Sequence, residues 1–124
     1  MVPVFDFTDS FIAGDQARAL HILRTLQENG IEPVLIIWSL ARELRLLADM
    51  ADQAAQGVAL PQLFQRQRIF SRRQGMLLRF LKKRTAPDCW RYLGEVAEID
   101  RMIKGAVPGN IWHRLQLFCL RTML

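Results

Sequence analysis

The sequence predicts an all-α fold, a compact bundle of six or seven helices that spans residues 1–124 as a single domain. Apolar residues recur at helical spacings along most of the chain, and no segment alternates for long enough to form a half-buried strand. Glycine and proline fall where the predicted helices end and begin. With 124 residues, of which 51% are hydrophobic, the chain can bury a sizeable core and is not typical of disordered proteins.

The first two helices have clear boundaries in the sequence. Residues 4–13 carry apolar side chains at helical spacing, and Gly14 ends this first helix. Asp15 can then cap the second helix through its side-chain oxygen, and that helix is predicted over residues 16–29, before Gly30. Because only a few residues follow before the next helix, we expect the second and third helices to be antiparallel neighbours.

The third helix, predicted over residues 32–54, is the element around which the bundle should pack. Pro33 suits its first turn, and the apolar run over residues 34–38 makes the early turns apolar on every side. The later turns carry a narrow polar strip formed by Arg42, Arg45, Asp49 and Asp52. We expect the domain's other helices to cover most of the early turns, including Trp38, and the alternative is cover by a partner subunit.

The second half of the chain predicts the remaining helices. They are a short helix over residues 61–68, a longer one over 71–84, one that begins after Thr85 and ends at Lys104, and a last one over 111–124. Thr85 and Pro87 supply cap and first-turn signals. Gly75 lies inside the helix over 71–84 at a cost of about 1 kcal/mol relative to alanine, which a closely crossing helix would explain.

No pattern in the chain is typical of catalysis or of cofactor binding. The sequence has no glycine-rich loop of the kind that cradles phosphate, and neither His21 nor His113 has a second metal ligand one helical turn away. Cys89 and Cys119 sit at apolar helical positions, which favours buried free thiols in a reducing cytoplasm over a disulfide. We therefore predict no catalytic, cofactor or metal site and no intrinsic enzyme activity.

Hydropathy predicts neither a membrane span nor a signal peptide. The longest apolar runs are about five residues, far below the length that crosses a bilayer. The N-terminus does not place a basic segment before an apolar block. The net charge of +5 permits an acidic partner such as nucleic acid but does not require one.

The positive charge is concentrated in one stretch. No acidic residue lies between Asp52 and Asp88, whereas eight basic residues do: Arg66, Arg68, Arg72, Arg73, Arg79, Lys82, Lys83 and Arg84. We call these residues the basic stretch. They predict either a patch for nucleic acid or for an acidic protein surface, or an ordinary solvated face whose neighbouring aromatic residues lie in the core.

The chain also carries more apolar surface than a small bundle needs. Trp38 lies on the same side of its helix as the polar strip, and the last helix is polar along only about a third of its circumference. The side chains that could form a subunit interface are Trp38, Leu117, Leu120 and Leu124. The alternative is that the domain's own core absorbs them.

The order and spacing of three segments resemble a known family. They are residues 19–48 (ALHILRTLQENGIEPVLIIWSLARELRLLA), 63–77 (LFQRQRIFSRRQGML) and 98–105 (EIDRMIKG), followed by a last helix that contains tryptophan. From about Phe5 onward the chain is similar to the C-terminal domain of the delta subunit of the bacterial DNA polymerase III clamp loader.

The resemblance implies a helical collar domain that holds loader subunits together, with delta prime and gamma/tau as partners. In that family the AAA+-like N-terminal domains precede the collar, and the first of them grips the sliding clamp; neither matches any part of this sequence. The resemblance further implies a cytoplasmic, non-catalytic part of the DNA polymerase III holoenzyme, with DNA a candidate ligand in the assembled complex. The alternative function is an independent nucleic-acid-binding domain that uses the basic stretch.

Overall fold

The computed structural model of the chain describes residues 3–123, and it confirms the all-α prediction. The described residues form seven helices and no strand: α1 Val4–Ala13, α2 Gln16–Glu28, α3 Pro33–Ala55, α4 Leu60–Arg66, α5 Ser71–Lys83, α6 Ala86–Ile103 and α7 Ile111–Thr122. The helix boundaries agree with the predicted ones to within about two residues, the margin expected for helix ends.

Helix α3 is the centre of the bundle, as its apolar pattern predicts. It makes its most extensive contact with α6 and also packs against α1, α4 and α5. Leu40, Leu44 and Leu47 on α3 are almost fully buried, and so are Val96 and Ile99 on α6. Burial of one such side chain stabilises the fold by about 1.5–3 kcal/mol, so the α3–α6 pair supplies much of the core.

Four aromatic rings join the remaining helices to this core. Phe11 of α1 stacks on Phe118 of α7 with ring centroids 5.2 Å apart, and it also meets Phe80 of α5 at 6.3 Å. Tyr92 of α6 meets the Phe118 ring edge-on at 6.3 Å. Each such pair adds about 0.5–1.5 kcal/mol beyond the burial of its surface, so the cluster ties α1, α5, α6 and α7 together.

Local side-chain caps fix where several helices begin. Asp15 accepts a hydrogen bond from the Arg18 N–H at 3.1 Å, which confirms its predicted role as the cap of α2. Thr85 and Asp88 form a reciprocal capping box at the start of α6, in which each side chain accepts a hydrogen bond from the other residue's backbone N–H. These contacts lie within one turn of the helix they start, which is why sequence patterns reveal them.

Trp38 contradicts the expectation that the domain covers the early turns of α3. Its side chain is 63% exposed, and Leu35 beside it is 41% exposed, whereas Ile36 and Ile37 are buried. Helix α2 packs mainly against α1 and α7, so the prediction that it lies alongside α3 is wrong. The side of α3 that carries Trp38 is therefore left without the neighbour expected to cover it.

The expectation of a helix crossing closely at Gly75 is also wrong. Gly75 is exposed, and a Cβ atom built there would meet only the Nη1 atom of Arg79, at 3.4 Å.

Cys89 and Cys119 are buried free thiols, as predicted. Burial raises the pKa of Cys89 to about 11 and that of Cys119 to about 12, so both thiols stay protonated at neutral pH.

Candidate interaction surfaces

Most of the basic stretch is free to meet a partner. Its exposed members are Arg66, Arg68, Arg72, Arg79, Lys82 and Lys83. Among residues 3–123, no carboxylate lies within ion-pair distance of any of them. Exposed cations without acidic neighbours give a positive potential that attracts anionic surfaces.

Two members of the basic stretch are instead used by the fold. The Nη2 atom of Arg73 lies 3.2 Å from Asp9 and 3.5 Å from Glu43, and its side chain is only 27% exposed. The Arg84 guanidinium lies over the Phe80 ring, 4.2 Å from its centroid, and donates a hydrogen bond to the Thr122 carbonyl at 3.0 Å. Part of the positive charge of the basic stretch is therefore compensated, because two acidic residues outside the stretch pair with Arg73.

The aromatic residues near the basic stretch divide between the core and the surface. Phe64 and Phe80 are buried, as expected for the inner face of an amphipathic helix, but Phe70 is 72% exposed. Phe70, Phe5 and Trp38 line one groove of about 700 Å³, bordered by Arg42 and Arg72 among others. We call this the aromatic groove; its lining residues come from α1, α3, α5 and the residue that caps α5.

Arg68 holds a backbone conformation that the sequence does not reveal. Its φ of 55° is left-handed, and it follows the C-cap of α4 at the position where glycine is usual. The Ile69 N–H donates to the Phe64 carbonyl at 2.9 Å and closes this helix end. A non-glycine residue here costs about 1–2 kcal/mol, and the sequence offers no glycine that would have indicated the turn.

The exposed leucines of α7 form a separate apolar surface. Leu117 is 37% exposed and Leu120 is 45% exposed, so the core does not absorb them. Trp38, from the same predicted interface, lines the aromatic groove on α3 instead. Leu124 lies outside the described residues. The predicted interface residues that the structure describes are thus on the surface, but on two different helices.

The part of the chain that the structure describes holds no group of three or more histidine, cysteine, aspartate or glutamate side chains placed to bind a metal ion. Over residues 3–123, no helix is both long and apolar enough to cross a membrane. His21 and His113 are both exposed on the surface.

A family model covers nearly the whole chain. The model described as "Processivity clamp loader gamma complex DNA pol III C-term" matches residues 4–122. This match includes the aromatic groove, the basic stretch and the exposed leucines of α7. All three surfaces therefore lie within the family domain rather than in appended segments.

Two curated proteins are similar to the chain. The DNA polymerase III subunit delta of Escherichia coli (strain K12) is 30% identical over 112 residues, which cover 90% of this chain and 32% of that protein. The DNA polymerase III subunit delta of Haemophilus influenzae is 26% identical over 119 residues, which cover 90% of this chain and 35% of that protein. The chain thus spans about a third of the length of these relatives.

Proposed function

Because the chain belongs to the family of C-terminal domains of the DNA polymerase III clamp loader, we propose that it is the oligomerisation, or collar, domain of a delta subunit. In this role it would hold the subunit in the loader that places the sliding clamp on primed DNA during replication. Its partners would be delta prime and gamma/tau, in the cytoplasm. Contact with the sliding clamp itself would belong to the N-terminal domains, which match no part of this sequence.

The exposed leucines of α7 are the observation that carries this proposal. Leu117 and Leu120 lie one helical turn apart on α7 and are both more than a third exposed, so they form a continuous apolar surface on that helix. Exposed apolar side chains of this kind, next to polar residues, are typical of the centre of a subunit interface. Trp38 supplies a second contact, since tryptophan is among the residues that contribute most to binding energy.

The state of the two thiols supports a non-catalytic role. A cysteine nucleophile reacts as a thiolate and needs a lowered pKa and access to solvent. Burial raises the pKa of both Cys89 and Cys119, and both side chains are fully buried. Neither thiol is therefore placed to act as a nucleophile. In the proposed role the domain would act by binding, and ATP hydrolysis would belong to other subunits of the loader.

Co-elution with loader subunits tests the proposal. The folded domain is mixed with delta prime and with gamma/tau, and the mixtures are separated by size-exclusion chromatography. We expect a shared peak, which the double substitution Leu117→Ser and Leu120→Ser should abolish. The control is Trp90→Ser, which removes an exposed apolar side chain that lies in neither α7 nor the aromatic groove. If the wild-type domain elutes alone from every mixture, the proposed function is wrong.

A second candidate function is binding of single-stranded nucleic acid, and the exposure of Phe70 favours it. Phe70 is 72% exposed, and the unpaired cations Arg68 and Arg72 lie within two residues of it. Proteins that bind single strands combine such cations, which meet phosphates, with aromatic rings on which bases stack.

Titration with a fluorescent single-stranded oligonucleotide tests this second function. Binding should weaken steeply with salt, and Arg72→Glu should weaken it at every salt concentration while making the salt dependence shallower. Phe70→Ala should cost about 1–3 kcal/mol of binding free energy through lost stacking. The control is Arg24→Glu, which makes the same charge change on the exposed face of α2. Negligible affinity at low salt would exclude the function.

A further inference from the structure

A charged cleft lies where the ends of α5 and α7 meet the first turns of α6. Its volume is about 430 Å³, and its lining residues are Lys83, Arg84, Asp88, Arg91, Tyr92, Glu95, Arg121 and Thr122. Four of these side chains are cations and two are carboxylates, so the cleft carries a positive excess of two charges. We call it the cationic cleft. It is distinct from the aromatic groove, with which it shares no lining residue.

Both carboxylates of the cationic cleft are already engaged. Asp88 accepts from Arg91 at 2.7 Å, and Glu95 accepts from Arg114 at 3.3 Å and also from Arg121. Lys83 has no carboxylate within ion-pair distance among residues 3–123, and neither has Arg84. The excess positive charge therefore lies on these two residues at the end of α5.

Arg84 also has an unused donor. Its Nε atom is buried and has no hydrogen-bond partner among the described residues. A buried donor without an acceptor costs about 1–3 kcal/mol, and the cost is greater for a charged group. Because the Nε atom has almost no accessible surface, a partner in the cleft would meet the rest of the half-buried Arg84 side chain rather than this donor.

The exposed leucines of α7 continue from the cationic cleft. Leu117 lies one helical turn before Arg121, and Leu120 directly precedes it, so the three side chains share one side and end of α7. Both leucines are more than a third exposed. A partner that places an acidic group in the cleft would therefore meet apolar surface next to it.

These neighbouring features fit a protein better than a nucleic acid. The one aromatic ring of the cleft, Tyr92, is only 8% exposed and offers no face on which a base could stack. A protein segment can instead supply both a carboxylate and apolar side chains. Complementary charge around an apolar contact is the usual arrangement of a specific subunit interface.

We propose that the cationic cleft and the exposed leucines of α7 form one docking surface for an acidic segment of a neighbouring loader subunit. Carboxylates of that segment pair with Lys83 and Arg84, and its apolar side chains cover Leu117 and Leu120. This inference rests on the proposed collar function and assigns a chemistry to the partner at that interface.

Charge reversal at adjacent lysines tests the docking surface. The full subunit that contains this domain is titrated with delta prime and with gamma/tau, and the dissociation constants are measured at several salt concentrations. Lys83→Glu should weaken binding to one of these partners by about tenfold or more, because it opposes like charges across the interface. Lys82→Glu is the matched control, since Lys82 is exposed on the same helix but does not line the cleft. It should change the dissociation constant by less than about twofold.

The salt dependence and the fold of the variants complete the test. Added salt should weaken wild-type binding more than binding of Lys83→Glu, because the variant lacks the screened attraction. Both lysines are exposed, so both variants should keep the wild-type circular dichroism and Tm.

Three results would overturn the docking surface in distinguishable ways. If Lys83→Glu binds as tightly as Lys82→Glu, the cleft does not receive the partner, while the collar function stands. If Lys83→Glu weakens only the binding of an oligonucleotide, the cleft belongs to a nucleic-acid site. If the wild-type subunit binds no loader subunit, the collar function fails and the docking surface fails with it.

Discussion

The guanidinium of Arg73 lies 3.2 Å from the carboxylate of Asp9 and ties α5 to α1 across 64 positions of the sequence. The same Nη2 atom lies 3.5 Å from Glu43 on α3, whose side chain is only 17% exposed. Apart from this ion pair, the Glu43 Oε2 atom has no hydrogen-bond partner among the described residues. Arg73 is therefore the cation that offsets a partly buried carboxylate between three helices.

Arg73→Met should destabilise the domain. Methionine keeps much of the side-chain volume but leaves Asp9 and Glu43 without their cation, and we expect a loss of about 1–3 kcal/mol in the free energy of unfolding. Urea denaturation measures it. The matched control is Arg72→Met, the exposed neighbour, which should stay within about 0.5 kcal/mol of wild type. Equal stability of the two variants would show that the ion pair contributes nothing.

Arg68→Gly should stabilise the domain. Glycine adopts the left-handed φ of 55° without the steric cost that arginine bears there, and we expect a gain of about 1 kcal/mol. Thermal unfolding followed by circular dichroism measures it. Arg66→Gly is the control, because the same substitution inside the last turn of α4 should destabilise by up to about 1 kcal/mol. A lower Tm for Arg68→Gly would contradict the prediction.

Gly75→Ala should also stabilise the domain. A new Cβ atom at position 75 would meet only the flexible end of Arg79, so the change removes the entropic cost of glycine in a helix, about 0.5–1 kcal/mol. The control is Gly14→Ala, which places a side chain at a φ of 81° and should lower the Tm. A destabilised Gly75→Ala would indicate a close neighbour at this position.

The success of the sequence-based predictions depends on how local the deciding contact is. The caps at Asp15 and Thr85 act within one helical turn, so the residue types at that spacing identify them. The positive charge of Arg73 is offset by Asp9 on α1 and Glu43 on α3. Both carboxylates lie outside the basic stretch, so counting the charges within the stretch misses them. The exposure of Trp38 depends on α2 packing against α7, which a short connection does not determine.

Trp38→Ala should change binding more than stability. Because Trp38 is 63% exposed, we expect its removal to alter the free energy of unfolding by less than about 1 kcal/mol. Ile37→Ala, at the buried neighbouring position, should cost about 2–5 kcal/mol and serves as the comparison. Urea denaturation of both variants and co-elution with loader subunits check the two effects. A loss for Trp38→Ala as large as that for Ile37→Ala would place the indole in the core.

Asp88 makes the stability of α6 depend on pH in a predictable direction. The Thr85 backbone N–H, which donates to Asp88, and the Arg91 guanidinium beside it hold the pKa of that carboxyl below its ordinary value of 3.8. A carboxylate whose pKa is lower in the folded state than in the unfolded state stabilises the folded state at pH values above its unfolded-state pKa. The stabilisation is then lost as the pH falls through the folded pKa.

Asp88→Asn isolates this charge, because asparagine keeps an oxygen that can accept from Thr85 but cannot pair with Arg91 as an anion. We expect the variant to unfold at a lower Tm than wild type at pH 7, since the start of α6 loses a negative charge that the helix dipole favours. The difference should shrink as the pH falls through the lowered pKa of the folded carboxyl, where the wild-type side chain also becomes neutral. Glu28→Gln removes the same charge at the C-terminal end of α2, where the dipole does not favour it, and should leave the Tm at pH 7 unchanged or higher. A Tm difference for Asp88→Asn that persists at low pH would assign its effect to packing rather than to charge.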